Sequence, residues 1–181
     1  MREPIESIEA SIDAPTTVFA TESNLAPAQR LAQGVVCGPW ALALSYDWAR
    51  QIIENFEVTA IPKAPPWLLG ATNVEGSILP VVDLGLYFSP ELGATSATQT
   101  TQRLLVGGMT ADGAEDAVAI AFHSLPQQLR YSASPLDYAG SLPPKLREVC
   151  DAVARDASGN NFLEINSERL LAALSDELSQ L

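Results

Sequence analysis

The sequence is poor in basic residues. Lysine and arginine together number 10 against 22 aspartates and glutamates, which gives a net charge of −12 at pH 7. Nucleic-acid binding requires clustered lysine and arginine, which displace counterions from the phosphates, and an anionic membrane surface attracts the same residues. The charge balance therefore argues against both kinds of partner, although it does not identify the partner that the chain does bind.

Long apolar runs and cysteines are also scarce. No apolar run approaches the roughly 18 residues of a membrane-spanning helix. The N-terminal sequence Met1-Arg2-Glu3-Pro4 lacks the basic start and apolar stretch of a secretory signal. The two cysteines, Cys37 and Cys150, do not form a C-x-x-C pair. We therefore expect a cytoplasmic protein without direct membrane insertion, in which both thiols are reduced.

Residues that commonly carry catalysis are few. His123 is the single histidine, and the G-x-S-x-G, P-loop and G-x-G-x-x-G motifs are missing. A zinc site is not expected without a second histidine or a cysteine cluster. The carboxylates Glu75 and Asp83 lie at opposite ends of a predicted strand, roughly 25 Å apart, too far for one site. We therefore expect no enzyme activity, no metal and no cofactor.

What the sequence does contain is a series of short apolar segments separated by turn residues. Two pairs of segments flank such turns and predict β-hairpins: 34–37 with 40–44, and 70–74 with 78–82. Further strands are predicted at 50–53, 58–61, 102–107, 117–122, 127–131, 147–153 and 161–165. Short strands spaced by about 8 to 15 residues are typical of barrels or sandwiches and not of a parallel α/β sheet.

The strand over 78–82 carries two further signals. Pro80 has no amide hydrogen, which predicts that its strand lies at a sheet edge or a bulge. The apolar run around Pro80 nevertheless predicts a strand that is buried on both faces, beginning at Ile78. Asp83 then follows as the N-cap of a short helix over 84–88.

The C-terminus predicts the clearest helix. Asn166 or Ser167 can cap it, and Glu168 in the first turn complements the helix dipole. Its leucines recur every three or four residues and form one apolar stripe: Leu170, Leu171, Leu174, Leu178 and Leu181. We expect this stripe to pack on the domain, and docking of a partner is the alternative.

The N-terminal residues 1–29 are rich in Glu, Ser, Thr, Ala and Pro. This composition predicts a disordered tail that is dispensable for folding. Residues 30–181 are expected to form a single, mostly β domain.

One segment, residues 58–88, carries more information than the rest. It reads VTAIPKAPPWLLGATNVEGSILPVVDLGLYF and resembles the CheW family signature. That signature is a strand, a proline-rich turn, a glycine, an Asn-x-x-Gly hairpin, an Ile-x-Pro-Val-x-Asp-Leu strand and a helix. The matching residues are Val58, Thr59, Pro65, Gly70, Asn73, Gly76, Pro80, Val81, Asp83, Leu84 and Phe88. Looser similarity extends from about Gln33 to Leu174.

The resemblance implies two intertwined, five-stranded, SH3-like β-barrel subdomains packed together, with a C-terminal helix. It implies a scaffold without catalytic residues that binds two partners, the regulatory domain of a CheA-type histidine kinase and the cytoplasmic tip of a chemoreceptor. Such an adaptor couples receptor state to kinase autophosphorylation in chemotaxis or twitching motility. The protein-binding residues would be Ala49, Gln51, Lys63, Gly70, Asn73, Glu75 and Gly76.

The chain departs from the family pattern at two of these places. The family hairpin usually reads Asn-Leu-Arg-Gly, so Glu75 places a carboxylate where the family offers an arginine. The family strand Val-x-Glu-Ile corresponds to 49–52 here, with Gln51 in place of the glutamate. These changes indicate a divergent member, such as an adaptor resembling PilI of type IV pilus systems. The alternative is a CheW-like scaffold that has lost receptor coupling and serves another signalling assembly.

Overall fold

The computed structural model describes residues 29–91, 102–109, 117–137 and 139–180. All of the predicted tail except Gln29 lies outside the described residues. Within the described ranges there are ten β-strands and three α-helices. The strands are β1 Arg30–Cys37, β2 Trp40–Ser45, β3 Ala49–Ile53, β4 Leu68–Val74, β5 Ser77–Val82, β6 Arg103–Gly107, β7 Val118–Phe122, β8 Gln127–Ser134, β9 Cys150–Arg155 and β10 Asn161–Ile165. The helices are α1 Leu84–Phe88, α2 Pro144–Val149 and α3 Ser167–Leu178.

The strands form two five-stranded sheets. One closes into a barrel in the order β1-β2-β10-β9-β8, and the other has the order β3-β6-β7-β5-β4. The first strands of the chain enter the closed barrel, the middle strands build the second sheet, and the last strands return to the barrel. The predicted mostly β fold with a C-terminal helix is therefore confirmed.

Turn and cap residues in the sequence predicted several elements correctly. Both predicted hairpins form, closed by the pairs Cys37–Trp40 and Val74–Ser77. Asp83 caps α1, because its Oδ1 accepts a hydrogen bond from the backbone N–H of Leu86 at 3.1 Å. The carboxylate of Asp83 thereby satisfies a backbone N–H that the first turn of α1 leaves unpaired.

The positions of the predicted strands differ from the structure at three places. The residues predicted as a strand over 147–153 are divided between α2 and β9, because Pro144 occupies the first turn of α2, where its missing N–H is not needed. The segment 58–61 contributes only an isolated bridge between Thr59 and Ala71. Of the two places predicted for the strand of Pro80, the edge is wrong, because β5 lies between β4 and β7, whereas the pairing of β5 with β4 does shift register between Leu68 and Gly70. Strand β5 tolerates Pro80 there because β7 pairs with only the last two residues of β5.

The largest buried cluster contains residues from both sheets and all three helices. Leu42 of the barrel and Ile120 of the second sheet are both fully buried in it. Tyr87 of α1 packs edge-on against Trp67, with ring centroids 5.2 Å apart. Leu170 and Leu174 of α3 also belong to the cluster, so the predicted packing of the leucine stripe is confirmed. Leu181 of that stripe lies outside the described residues.

Cys37 and Cys150 are free and buried. Burial raises the pKa of the Cys37 thiol, with a smaller contribution from the charge of Asp83. The thiol therefore stays protonated and unreactive. In the described part of the chain, no helix combines the length and apolar character that crossing a membrane requires.

Candidate functional site

The tip of the β4–β5 hairpin is a two-residue turn with an unusual backbone. Glu75 has a φ of 52° and Gly76 a φ of 92°. Positive φ at both central positions is the type I′ geometry, whose twist matches that of the flanking strands. The Oδ1 of Asn73 accepts a hydrogen bond from the N–H of Gly76 at 2.9 Å. The turn therefore presents the exposed Glu75 side chain at a defined place.

Glu75 is hydrogen-bonded by a residue of β3, the strand at the other end of the order of the second sheet. Gln51 lies in β3, and its Nε2 donates a hydrogen bond to Oε1 of Glu75 at 3.2 Å. Strands β3 and β4 are the two ends of the sheet order, so this bond spans the side on which the sheet is not closed. On the same side, the backbone of Thr59 bridges to Ala71 of β4.

The seven predicted site residues separate into three groups: four at the hairpin tip, one in the connection between β3 and β4, and two that are buried. The structure brings Gln51, Asn73, Glu75 and Gly76 together at the hairpin tip. Lys63 is exposed in the connection between β3 and β4, in a left-handed conformation.

Two of the predicted site residues, Ala49 and Gly70, are buried. Ala49 is 1% exposed in β3 and belongs to the largest buried cluster. Gly70 adopts a φ of 147°, and a Cβ there would overlap the carbonyl oxygen of Thr59. A residue other than glycine would therefore push the 54–67 connection away from β4.

A further surface residue escaped the sequence prediction. Ile78 is 69% exposed and pairs with Asn73 across the hairpin, so its prediction as part of a strand buried on both faces was wrong. The next residue, Leu79, is fully buried, as the alternation of side chains along a strand requires. Strict alternation was therefore the signal that could have placed Ile78 outside.

A groove of about 620 Å³ opens beside Asn73. Its other lining residues are Glu54, Asn55, Phe56, Glu57 and Thr72. Glu54 forms an ion pair with Arg103, in which the Nε and Oε1 atoms are 2.7 Å apart. Nowhere in the described ranges do three or more His, Cys, Asp or Glu side chains gather closely enough to hold a metal ion. The groove is therefore part of a polar, acidic surface that is suited to binding a partner.

Comparisons with known proteins agree with this architecture. The model of the CheW-like domain family matches residues 34–175, a range that includes the hairpin and every predicted site residue. Among solved structures, the chain is similar to the scaffolding protein TtCheW from Thermoanaerobacter tengcongensis, with a TM-score of 0.61 at 13% sequence identity. The match covers 76% of this chain and 89% of that one. No curated protein matches the chain.

Proposed function

The chain belongs to the CheW-like domain family, and from this premise we propose that it is a non-enzymatic adaptor in a chemosensory signalling system. It couples chemoreceptors to a CheA-type histidine kinase in the cytoplasm, and the output is chemotaxis or twitching motility. The observation that carries the proposal is the family match over residues 34–175, which spans strands of both sheets. The proposed domain is residues 30–181.

We place the receptor contact at the hairpin tip. Type I′ turns favour Asn or Gly at the position of Glu75, and a left-handed conformation costs a residue with a side chain about 1 kcal/mol or more. Turn geometry therefore does not explain the glutamate. An exposed carboxylate recognises a cation, so the partner should offer Lys or Arg opposite Glu75, because like charges placed opposite each other reduce affinity.

Replacing Glu75 by arginine tests this contact. We expect Glu75→Arg to weaken binding to the protein's own receptor tip about fivefold, which is typical of an exposed charge contact. The loss should be largest at low salt, where such contacts are least screened. Titration calorimetry with a purified receptor hairpin from the same cell measures it.

The matched control is Glu168→Arg, which makes the same charge change on an exposed residue of α3. Equal affinities of the wild type and Glu75→Arg at low salt would reduce Glu75 to a turn residue. The receptor contact would then have to lie elsewhere on the surface.

Incorporation into receptor arrays separates the two candidate functions. A fluorescent fusion of a coupling adaptor should form clusters that disappear when the receptors of the cell are deleted. A scaffold that has lost receptor coupling should bind its signalling partner while its distribution is insensitive to that deletion. The charge reversal at Glu75 is the observation that supports this second candidate. A receptor tip that is complementary to the arginine of the family pattern would bind a carboxylate at the same place less well.

A further inference from the structure

The bond between Gln51 and Glu75 depends on an irregularity in β3. The pairing of β3 with β6 shifts register between Ala49 and Gln51, so that Ala49 lies opposite Gly107 and Gln51 opposite Val106. Residues two apart in a regular strand share a face. The extra residue at position 50 instead turns Gln51 to the face opposite that of the buried Ala49. Re-aiming of a side chain in this way is a common role of β-bulges.

Gln51 lies in β3, on the side where the second sheet is not closed. It shares its face with Ile53, which packs against the buried cluster that contains Val74 and Val106. Val74 is the residue immediately before the hairpin turn. The amide of Gln51 therefore reaches Glu75 at the end of this apolar cluster, where the side chain of Gln51 is half-buried and that of Glu75 is exposed.

We propose that Gln51 is a positioning residue that fixes the carboxylate of Glu75 for a cationic side chain of the partner. This inference rests on the proposed function of the hairpin tip. Oε1 of Glu75 accepts the hydrogen bond from Gln51, and no described residue donates to Oε2, so this oxygen is left for the partner. A side chain that is already ordered loses less conformational entropy on binding, and that saving increases affinity.

The chemical type of the positioning group matters as well. An amide is a neutral donor, so Gln51 orders the carboxylate without cancelling its charge. A lysine at position 51 would also donate to Glu75 but would neutralise it, and a glutamate would repel it. The pair therefore determines specificity, because it keeps a full negative charge at a fixed place on the hairpin tip.

A double-mutant cycle on the full-length chain tests the positioning role. The proteins are the wild type, Gln51→Ala, Glu75→Ala and the double variant, and the probe is a purified receptor hairpin tip from the same cell. We expect Gln51→Ala to weaken binding about threefold to fivefold when Glu75 is present, as for an exposed polar contact. In the Glu75→Ala background the same change should have no effect.

Gln51→Lys supplies a readout that a structural role would not move. We expect Gln51→Lys to bind more weakly than Gln51→Ala at low salt, because the charge of the lysine neutralises Glu75. At high salt this charge effect is screened, and the two variants should bind equally. Melting temperatures of all variants should stay close to that of the wild type.

Two results overturn the positioning role alone: equal losses from Gln51→Ala with and without Glu75, or a Gln51→Lys variant that binds as well as the wild type. An unaltered affinity of Glu75→Ala, or a wild-type chain that does not bind the receptor tip, overturns the positioning role together with the proposed contact.

Discussion

Replacing Gly70 by alanine should lower the free energy of unfolding by about 2 to 6 kcal/mol. The glycine has a φ of 147°, and a Cβ there would lie 2.8 Å from the carbonyl carbon of Thr59 and from Cγ1 of Val58, and closer still to the Thr59 oxygen. Backbone strain of this kind costs about 1 to 3 kcal/mol, and overpacking adds about 1 to 3 kcal/mol. Denaturation in urea, followed by tryptophan fluorescence, measures the change.

The neighbouring backbone cannot relax easily to admit the new methyl group. Thr59 exchanges two hydrogen bonds with Ala71, with N–O distances of 2.8 and 2.9 Å. Moving the Thr59 carbonyl away from β4 would break this bridge to the last strand of the second sheet. The strain is therefore expected to appear as lost stability and not as a harmless shift of a loop.

Gly76→Ala is the matched control for this substitution. Gly76 also has a positive φ, but no atom lies within 4 Å of the place where its Cβ would be. The expected loss is that of the left-handed backbone alone, about 1 to 2 kcal/mol. Equal losses for the two variants would contradict the close packing of the 54–67 connection against β4.

The second large effect is expected in α3. Leu170 is fully buried in the cluster that joins both sheets, so Leu170→Ala removes apolar contacts and leaves a cavity. Such substitutions typically lower the free energy of unfolding by about 2 to 5 kcal/mol. Urea denaturation is again the measurement, with the slope of the transition checked for two-state behaviour.

Leu171→Ala is the control, because Leu171 is only partly buried. Its replacement removes less buried apolar area, so the free energy of unfolding should fall by only about 1 kcal/mol. The helix packs on the domain if the two variants differ as expected. Equal, small losses together with weaker partner binding would restore the alternative interpretation of the stripe as a docking helix.

Much of the fold could be predicted because local chemistry agrees with it. Gly38-Pro39 and Glu75-Gly76 mark the two hairpins, and Asp83 and Asn166 supply the side-chain oxygens that cap α1 and α3. Each of these turn and cap signals involves only a few neighbouring residues, so it can be identified from the sequence alone. Assignment of the strands to two sheets did not follow from these signals and depended on the resemblance of the 58–88 segment.

The errors came from places where local patterns conflict. Leu146 and Val149 are spaced for one face of a helix, yet they run directly into Cys150 and β9, and an apolar run of this length does not distinguish the two. The Gln51–Glu75 contact joins residues 24 positions apart from opposite ends of a sheet. Neither the register shift in β3 nor that contact has a signal in the sequence alone.

A coupling adaptor should co-purify with its kinase. The full-length chain, affinity-tagged and isolated from its own cells, should retain a histidine kinase that carries a CheW-like regulatory domain, together with a chemoreceptor whose recovery falls in the Glu75→Arg variant. Mass spectrometry of the retained proteins identifies both, and Glu168→Arg controls for the change in charge. Recovery of the folded chain with neither a histidine kinase nor a chemoreceptor would contradict the proposed function.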